Sequence, residues 1–326
     1  MSENFVAPRP KTGEPWDVII IGSGPSGLTA AIYSTRAALS TLVIGGYKWG
    51  GQLMLTTEVD NYPGFPEGIM GPELMEKFKA QAERFGAEVK LVDVESVDFR
   101  QIGDFRVVGD GETYQGRSVI IATGADTRWL GLPNEEKLIG RGISSCAPCD
   151  AAFFKDKKVI VVGGGDSAME EAQVLTKFAN EVTIVHRRGE FRASEAMQQK
   201  VLANPKVKVI WNSEVAEILG DDKVTGVEIK NTQTNEISKV EIDGFFVAIG
   251  HDPVTKLFQG QVGLDEKGYI KKMINDKWPM INMMTSVEGV FVAGDVHDYH
   301  YKQAVTAAAL GCQAAMDAEK WLEAQK

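Results

Sequence analysis

Apolar residues gather along the chain into seven short runs rich in Val, Ile and Phe. They are Trp16–Gly22 (WDVIIIG), Thr41–Ile44 (TLVI), Val119–Gly124 (VIIATG), Lys157–Val162 (KKVIVV), Val182–Val185 (VTIV), Phe245–Gly250 (FFVAIG) and Phe291–Asp295 (FVAGD). Continuous runs of this length predict buried β-strands rather than half-exposed ones. Three longer stretches carry helical character: Leu28–Leu39, Met169–Ala179 and Gln303–Leu322. Strands alternating with helices predict an α/β fold. The opening residues, MSENFVAPRPKTGEPWD, are expected to form a short flexible arm before the first strand.

Size and composition narrow the class without naming a function. A chain of 326 residues is long enough for two domains of ordinary size. With 44% hydrophobic and 25% charged residues it has the composition of a globular protein. A net charge of −10 argues against a nucleic-acid-binding surface, which needs a basic stripe. No apolar run approaches the ~20 residues that cross a bilayer. The start has no basic segment leading into an apolar one, so no secretory signal is expected and the compartment is expected to be cytoplasmic. Three cysteines cannot build a disulfide framework.

The first strand opens into Gly22-Ser23-Gly24-Pro25-Ser26-Gly27 and then a helix. This is G-x-G-x-x-G in a strand–turn–helix setting, where glycines let the backbone approach a pyrophosphate at the helix N-terminus. The pattern recurs at Gly163-Gly164-Gly165-Asp166-Ser167-Ala168, after the fourth strand, with alanine in the third small-residue position. Two such units predict two dinucleotides. After the second, the next strand leads into His186, Arg187 and Arg188, with Arg192 just beyond; His186 lies 186 − 163 = 23 residues past the first glycine. An NAD site would carry an acid there, whereas arginines suit the 2′-phosphate of NADPH. The strand TLVI of the first unit ends instead at Gly45-Gly46, without an acid, so ribose contacts there must come from elsewhere.

Strands Val119–Gly124 and Phe245–Gly250 bracket the second unit, which therefore reads as an insertion into the first domain. The chain is expected to form two Rossmann-like, three-layer α/β nucleotide-binding domains. One, discontinuous, comprises residues 1–124 and 251–326; the other, inserted, comprises residues 125–250. Two chain crossings make a natural pair of hinges.

Cys146-Ala147-Pro148-Cys149-Asp150 carries the remaining chemistry. Cysteines separated by two residues can close a small disulfide, and a thiolate near a helix start is activated. Half a zinc site or inert buried thiols are the alternatives, but a closed zinc site wants four ligands and the only other cysteine is Cys312. Beside two dinucleotide units, a redox role is favoured. Asp150 is placed to supply the proton that a departing thiolate needs, against the alternative of a helix-capping aspartate.

These residues, together with Gly50-Gly51-Gln52-Leu53, TTEVDNYPG at Thr56–Gly64, ATGA, HRRGEFRA and AGDV followed by QAVTAA, resemble the low-molecular-weight thioredoxin reductases over nearly the whole chain. That resemblance implies a homodimer that passes electrons from NADPH through FAD to the dithiol and on to a thioredoxin-like protein. FAD would be held by the discontinuous domain. It would lie along Gly22–Gly27, the loop with Gly45, Gly46, Gly51 and Gln52, Asn61, the turn Ala122-Thr123-Gly124, and Gly294, Asp295, Lys302, Gln303 and Ala304. NADPH would be held at Gly163, Gly165, Asp166 and Ser167 and gripped by His186, Arg187, Arg188 and Arg192. Cys149 would face the flavin, Cys146 would attack the partner disulfide, and Asp150 would be the acid–base group. Arg141, Phe153 and Phe154 flank the dithiol where the family receives thioredoxin. Lys302 stands where the family has arginine, and His297, Tyr299 and His300 match no assigned role. The alternatives are a related flavin-dependent dithiol enzyme with another disulfide partner, a dithiol oxidase, or a redox-sensing flavoprotein without turnover.

Overall fold

The computed structural model describes residues 5–273 and 277–325. The chain divides into two compact units, one built from the segments up to Asp126 and from Asp252 onward, the other from Thr127–His251.

The first unit is organised by a seven-stranded sheet. Glu88–Lys90, Thr41–Ile44, Trp16–Ile21, Glu112–Ile121 and Val290–Val292 run parallel in that order. Val94–Asp98 and Phe105–Gly109 add antiparallel pairs at one side. The period-two geometry of a strand explains the unbroken apolar runs, because both faces are buried. Val18, Ile20, Val43, Ile120 and Phe291 point into one core, packed by the helices Pro25–Arg36 and Ala304–Glu323. Ile19, Ile21, Leu42, Ile44, Val119, Ile121 and Val292 point into the other, with Phe99, Phe105 and Phe258.

The second unit has the same logic. Its five-stranded parallel sheet runs Ile143–Ser144, Gly244–Val247, Lys158–Val162, Glu181–Val185, Val207–Ile210. Val159, Val161, Val182 and Ile184 face the helix Asp166–Leu175 and its core, while Ile160, Val162, Phe245 and Val247 face the opposite one. An antiparallel sheet, Ser213–Leu219, Gly226–Asn231 and Ile237–Glu241, contributes Ile218, Val227 and Ile229 to that second core.

Three details differ from expectation. The run Val119–Gly124 is the end of a longer strand, Glu112–Ile121, that stops before Ala122. Its first half alternates exposed and buried residues and pairs with Phe105–Gly109, so it carries no continuous apolar signal; Gly124, at φ +72°, turns the chain after it. The helices after both glycine motifs begin earlier than the apolar spacing shows, at Pro25 and Asp166. Proline suits a helix start because its missing N–H would have no partner there. The opening arm is fastened at Ala7, which is buried and whose amide donates to the Phe85 carbonyl (2.8 Å). Residues 1–4 of that arm lie outside the described residues.

Candidate functional site

Each glycine motif separates positions packed against the fold from one left open, a division its spacing only hints at. In the first unit Gly22 has φ +112°, and a Cβ on it would meet the Ala122 carbonyl oxygen at 2.3 Å. A Cβ on Gly27 would lie 2.0 Å from the Gly22 carbonyl oxygen, so both positions exclude side chains for internal packing. Gly24, which starts the helix Pro25–Arg36, meets nothing within 4 Å. No side chain caps this helix, so its first backbone donors face an open cradle.

The surrounding loops are tied to this cradle. The Ser23 hydroxyl donates to the Gly45 carbonyl (2.7 Å) and accepts the Gly50 amide (3.0 Å). Gly45 and Gly46 are fixed by Lys90 and Val92 carbonyls, and Asp93 accepts the Tyr47 amide (2.9 Å) beside them. Asp93 is an acid at the end of this strand pair that comes from a later segment, so no motif spacing could reveal it. A Cβ on Gly51 would lie 3.3 Å from the Gly24 Cα, and Gln52 donates to Asp126 (3.3 Å). Ala122 is buried beneath Gly22, and the Thr123 hydroxyl donates to the Val254 carbonyl (2.7 Å). Asn61 donates to the Gln303 side chain (3.2 Å), and Gln303 with Thr306 forms a capping box on the helix that begins at Ala304.

That helix is drawn close by two glycines. A Cβ on Gly311 would lie 2.1 Å from the Ser26 carbonyl oxygen, and one on Gly294 would lie 2.6 Å from the Ser26 hydroxyl. Asp295 follows directly. Its Oδ1 is buried without a hydrogen-bond partner. Burial, with Asp298 adding to it and Lys302 opposing, pushes its carboxyl up to about 7. An orphaned buried acceptor beside an open glycine cradle is what a hydroxyl-rich dinucleotide chain would satisfy, so these residues fit a flavin dinucleotide. Lys302 adopts φ +47°. His297 is held through Nδ1 against the Ile270 carbonyl (3.3 Å), and burial lowers its pKa.

In the second unit Gly163 is packed as Gly22 is, 2.4 Å from the Ala248 carbonyl oxygen for a Cβ, while Gly165 again meets nothing within 4 Å. Gly164 has a role the spacing does not show. A Cβ there would lie 2.2 Å from the His186 ring. His186 is buried, packed against Phe191 and Trp211, with Nε2 on the Glu190 carbonyl (2.9 Å); burial is the main cause lowering its pKa. The Arg192 and Ala193 amides donate to the Gly164 carbonyl (2.7 and 3.2 Å), and Asp166 accepts the Ser194 amide (2.8 Å). His186 therefore props the loop, while Arg187, Arg188, Arg192 and Ser167 are exposed beside it. This group fits the phosphates of a pyridine nucleotide, its arginines supplying charge.

The same unit holds the dithiol. Cys146 and Cys149 form a disulfide (Sγ–Sγ 2.04 Å, Cα–Cα 5.3 Å) at the start of the short helix Ala147–Asp150. The Cys149 and Asp150 amides donate to the Cys146 carbonyl (3.1 Å each), the Cys146 amide donates to the Ser144 hydroxyl (3.0 Å), and the Ala147 amide donates to a Glu171 carboxylate oxygen. Asp150 is half-buried, which raises its pKa against the opposing Ser144 hydrogen bond. Among the described residues, no group of three or more His, Cys, Asp or Glu could hold a metal ion. Phe153 is 40% exposed and Arg141 is exposed. Phe154, expected with them at a docking surface, is instead core: it is 7% exposed and packs edge-on to Phe246 because the Ala151–Phe154 turn rotates successive residues to opposite sides.

Two glycine-cradled parallel sheets and a closed Cys-x-x-Cys define a dinucleotide-dependent disulfide oxidoreductase. Residues 16–311 match the family model of the pyridine nucleotide-disulphide oxidoreductases. The chain is 54% identical to a thioredoxin reductase of Mycolicibacterium smegmatis, across 95% of this chain and 97% of that one. It is 50% identical to one of Rickettsia prowazekii, across 94% and 97%. Among solved structures, the thioredoxin reductase from Giardia duodenalis superposes with a TM-score of 0.89 at 44% identity, covering 95% of this chain and 99% of that one. That from Streptococcus pyogenes MGAS5005 gives 0.88 at 41%, covering 95% and 98%. The chain belongs to the pyridine nucleotide-disulphide oxidoreductases and, within them, to the thioredoxin reductase family. It is an oxidoreductase, and membership implies a flavin and a pyridine nucleotide. No helix among the described residues is long and apolar enough to cross a membrane.

Proposed function

We propose that this chain is a cytoplasmic, homodimeric NADPH-dependent thioredoxin-disulfide reductase, with FAD in the first unit and NADPH in the second. The observation that carries the reading is the Cys146–Cys149 disulfide with Asp150, half-buried and with its pKa raised by that burial, at the end of its turn. When bound, FAD supplies hydride acceptance from NADPH and two-electron delivery to the dithiol. Gly24 and the donors of its helix cradle the flavin pyrophosphate, and Asp295 accepts a hydroxyl of the same dinucleotide. Gly165 and Ser167 take the NADPH pyrophosphate, and Arg187, Arg188 and Arg192 the 2′-phosphate.

The dithiol chemistry belongs to the chain itself. Two electrons and two protons open the Cys146–Cys149 disulfide, with Cys149 receiving the electrons and Asp150 holding a proton for the sulfur that leaves. Asp150 takes that proton back, and the Cys146 thiolate then attacks the partner disulfide, forming one mixed S–S bond and releasing one partner thiolate. Cys149 resolves that bond, re-forming Cys146–Cys149 and freeing the partner as a dithiol. Exposed Arg141 and Phe153 are placed to meet a thioredoxin-like protein.

The nucleotide and dithiol sites share one unit while the flavin site is in the other, so one rigid arrangement is a poor fit to every contact of the cycle. We assign domain rotation to the crossings near Gly124 and Gly250, which adopt φ +72° and +112° and suit a backbone hinge. Unimpaired turnover in a variant whose units are cross-linked would remove this step.

The direct test mixes the flavin-loaded protein with NADPH or NADH and oxidised thioredoxin, and follows the nicotinamide absorbance. Cys146→Ser is expected to keep NADPH-dependent flavin reduction and lose thioredoxin reduction. Thioredoxin turnover by that variant would overturn the assignment of the two sulfurs.

A further inference from the structure

Four backbone donors of the dithiol turn have partners, and one partner stands apart. The Cys149 and Asp150 amides turn back to the Cys146 carbonyl, the Cys146 amide goes to the Ser144 hydroxyl, and Pro148 has no N–H. A fourth donor, the Ala147 amide, is fully buried at its residue and ends on a carboxyl oxygen of Glu171. Glu171 comes from the helix Asp166–Leu175, whose first turn is the nucleotide loop. Ala147 and Ala151 of the redox turn pack into one core with Ala168 and Ala172 of that helix, so small side chains on both elements bring Glu171 to the seam.

We propose that Glu171 is a positioning residue for the dithiol. Its carboxylate clamps the amide that follows Cys146, and its charge keeps the Cys146 thiol from becoming too acidic to attack well. The inference rests on the dithiol being the redox pair proposed above. A thiolate at a helix start is ordinarily stabilised by the free N–H groups there. Here the available donor is taken by a carboxylate, and a like charge near a thiolate disfavours it. Attack on a disulfide is fastest when the thiol titrates near the ambient pH, because a more acidic thiolate is a weaker nucleophile. Ionisable groups on the packed elements are few. Asp150 lies on the turn itself and Glu171 on the neighbouring helix, while Asp166 is bonded to the Ser194 amide, Glu170 is exposed, and the flanking Arg141 is exposed to solvent. The strand Ile143–Ser144 and the turn Ala151–Phe154 carry none.

The test uses the full-length flavin-loaded enzyme reduced with a small dithiol. Iodoacetamide labelling of Cys146 is followed by peptide mass spectrometry across the pH range of thiol ionisation. Glu171→Gln keeps an oxygen for the Ala147 amide but removes the charge. It is expected to move the labelling midpoint down by about one pH unit, giving roughly tenfold faster labelling on the acid side. Glu171→Asp, which keeps the charge, is expected to restore much of the wild-type profile, and Glu171→Ala to lower kcat with the NADPH KM unchanged. A Glu171→Gln midpoint within a few tenths of a unit of wild type overturns the proposal, as does wild-type behaviour of Glu171→Ala. Absence of thioredoxin turnover in the wild-type enzyme would instead fail the functional reading, and the labelling profile still decides the role of Glu171.

Discussion

Adjacent glycines of the second motif, replaced one at a time by alanine, separate packing from ligand binding. A methyl on Gly164 would enter the His186 ring, 2.2 Å from Cε1 and 2.3 Å from Nδ1. The ring has little room to move: it is 4% exposed, fixed through Nε2 to Glu190, and wedged between Phe191 and Trp211. Forcing an extra methyl into such a site costs about 1–3 kcal/mol. For a unit of this size that is a fall of roughly 4–12 °C in Tm. A methyl on Gly165 meets nothing within 4 Å. Its cost to the fold is confined to a poorer helix start, about 0.5–1 kcal/mol. Yet it stands where a pyrophosphate must approach the helix, and a tenfold loss of NADPH affinity corresponds to about 1.4 kcal/mol. Thermal unfolding of the nucleotide-free protein and the NADPH KM are the two assays. Gly164→Ala is expected to lower Tm the more. Gly165→Ala is expected to raise the KM tenfold or more with the smaller change in Tm. A Gly165→Ala enzyme with a KM within twofold of wild type would refute the assignment of this loop as the phosphate cradle.

Three further outcomes are expected. Asp150→Asn should lower thioredoxin turnover by about 10²- to 10⁴-fold without changing NADPH binding. Because burial raises the Asp150 pKa, its neutral form is the one the fold favours. The folded state thus loses stability as pH rises above the ordinary aspartate range, and Asp150→Asn should be at least as stable as wild type at neutral pH, the difference vanishing in acid. Replacing Arg187, Arg188 and Arg192 together by Gln should raise the NADPH KM far more than the NADH KM; equal effects on the two nucleotides would remove the 2′-phosphate assignment. Asp295→Asn should release flavin, read as fluorescence in the filtrate. In the flavin-free protein it should stabilise by an amount that grows between about pH 4 and 7 and then levels at up to roughly 4 kcal/mol, since that buried carboxyl is pushed up from 3.8 to about 7. A melting profile that shows no such pH-dependent gap would place the Asp295 carboxyl elsewhere.

Much of this protein was legible in the chain itself. The seven apolar runs located strands because a parallel strand buried on both faces has no polar side to interrupt it. The two glycine motifs marked their turns because a Cβ at Gly22, Gly27 or Gly163 would overlap backbone atoms a few residues or a whole strand away. The spacing of Cys146 and Cys149 announced the small disulfide that the fold closes. What only the tertiary structure decided depends on neighbours far apart in sequence. Gly164 is small because of His186, and Gly311 because of Ser26, contacts that no local pattern encodes. Asp93 reaches the Gly45-Gly46 turn through strand pairing, and Asp295 is left with an orphaned oxygen only once the surrounding residues pack. Phe153 and Phe154 are the same residue side by side, yet the turn sends one to solvent and the other to the core. The dithiol shows the division most clearly. Sequence sets which sulfurs react, while burial of Asp150 and the Glu171 carboxylate at the Ala147 amide, 24 residues away in the chain and brought there by packing, set the charge around them.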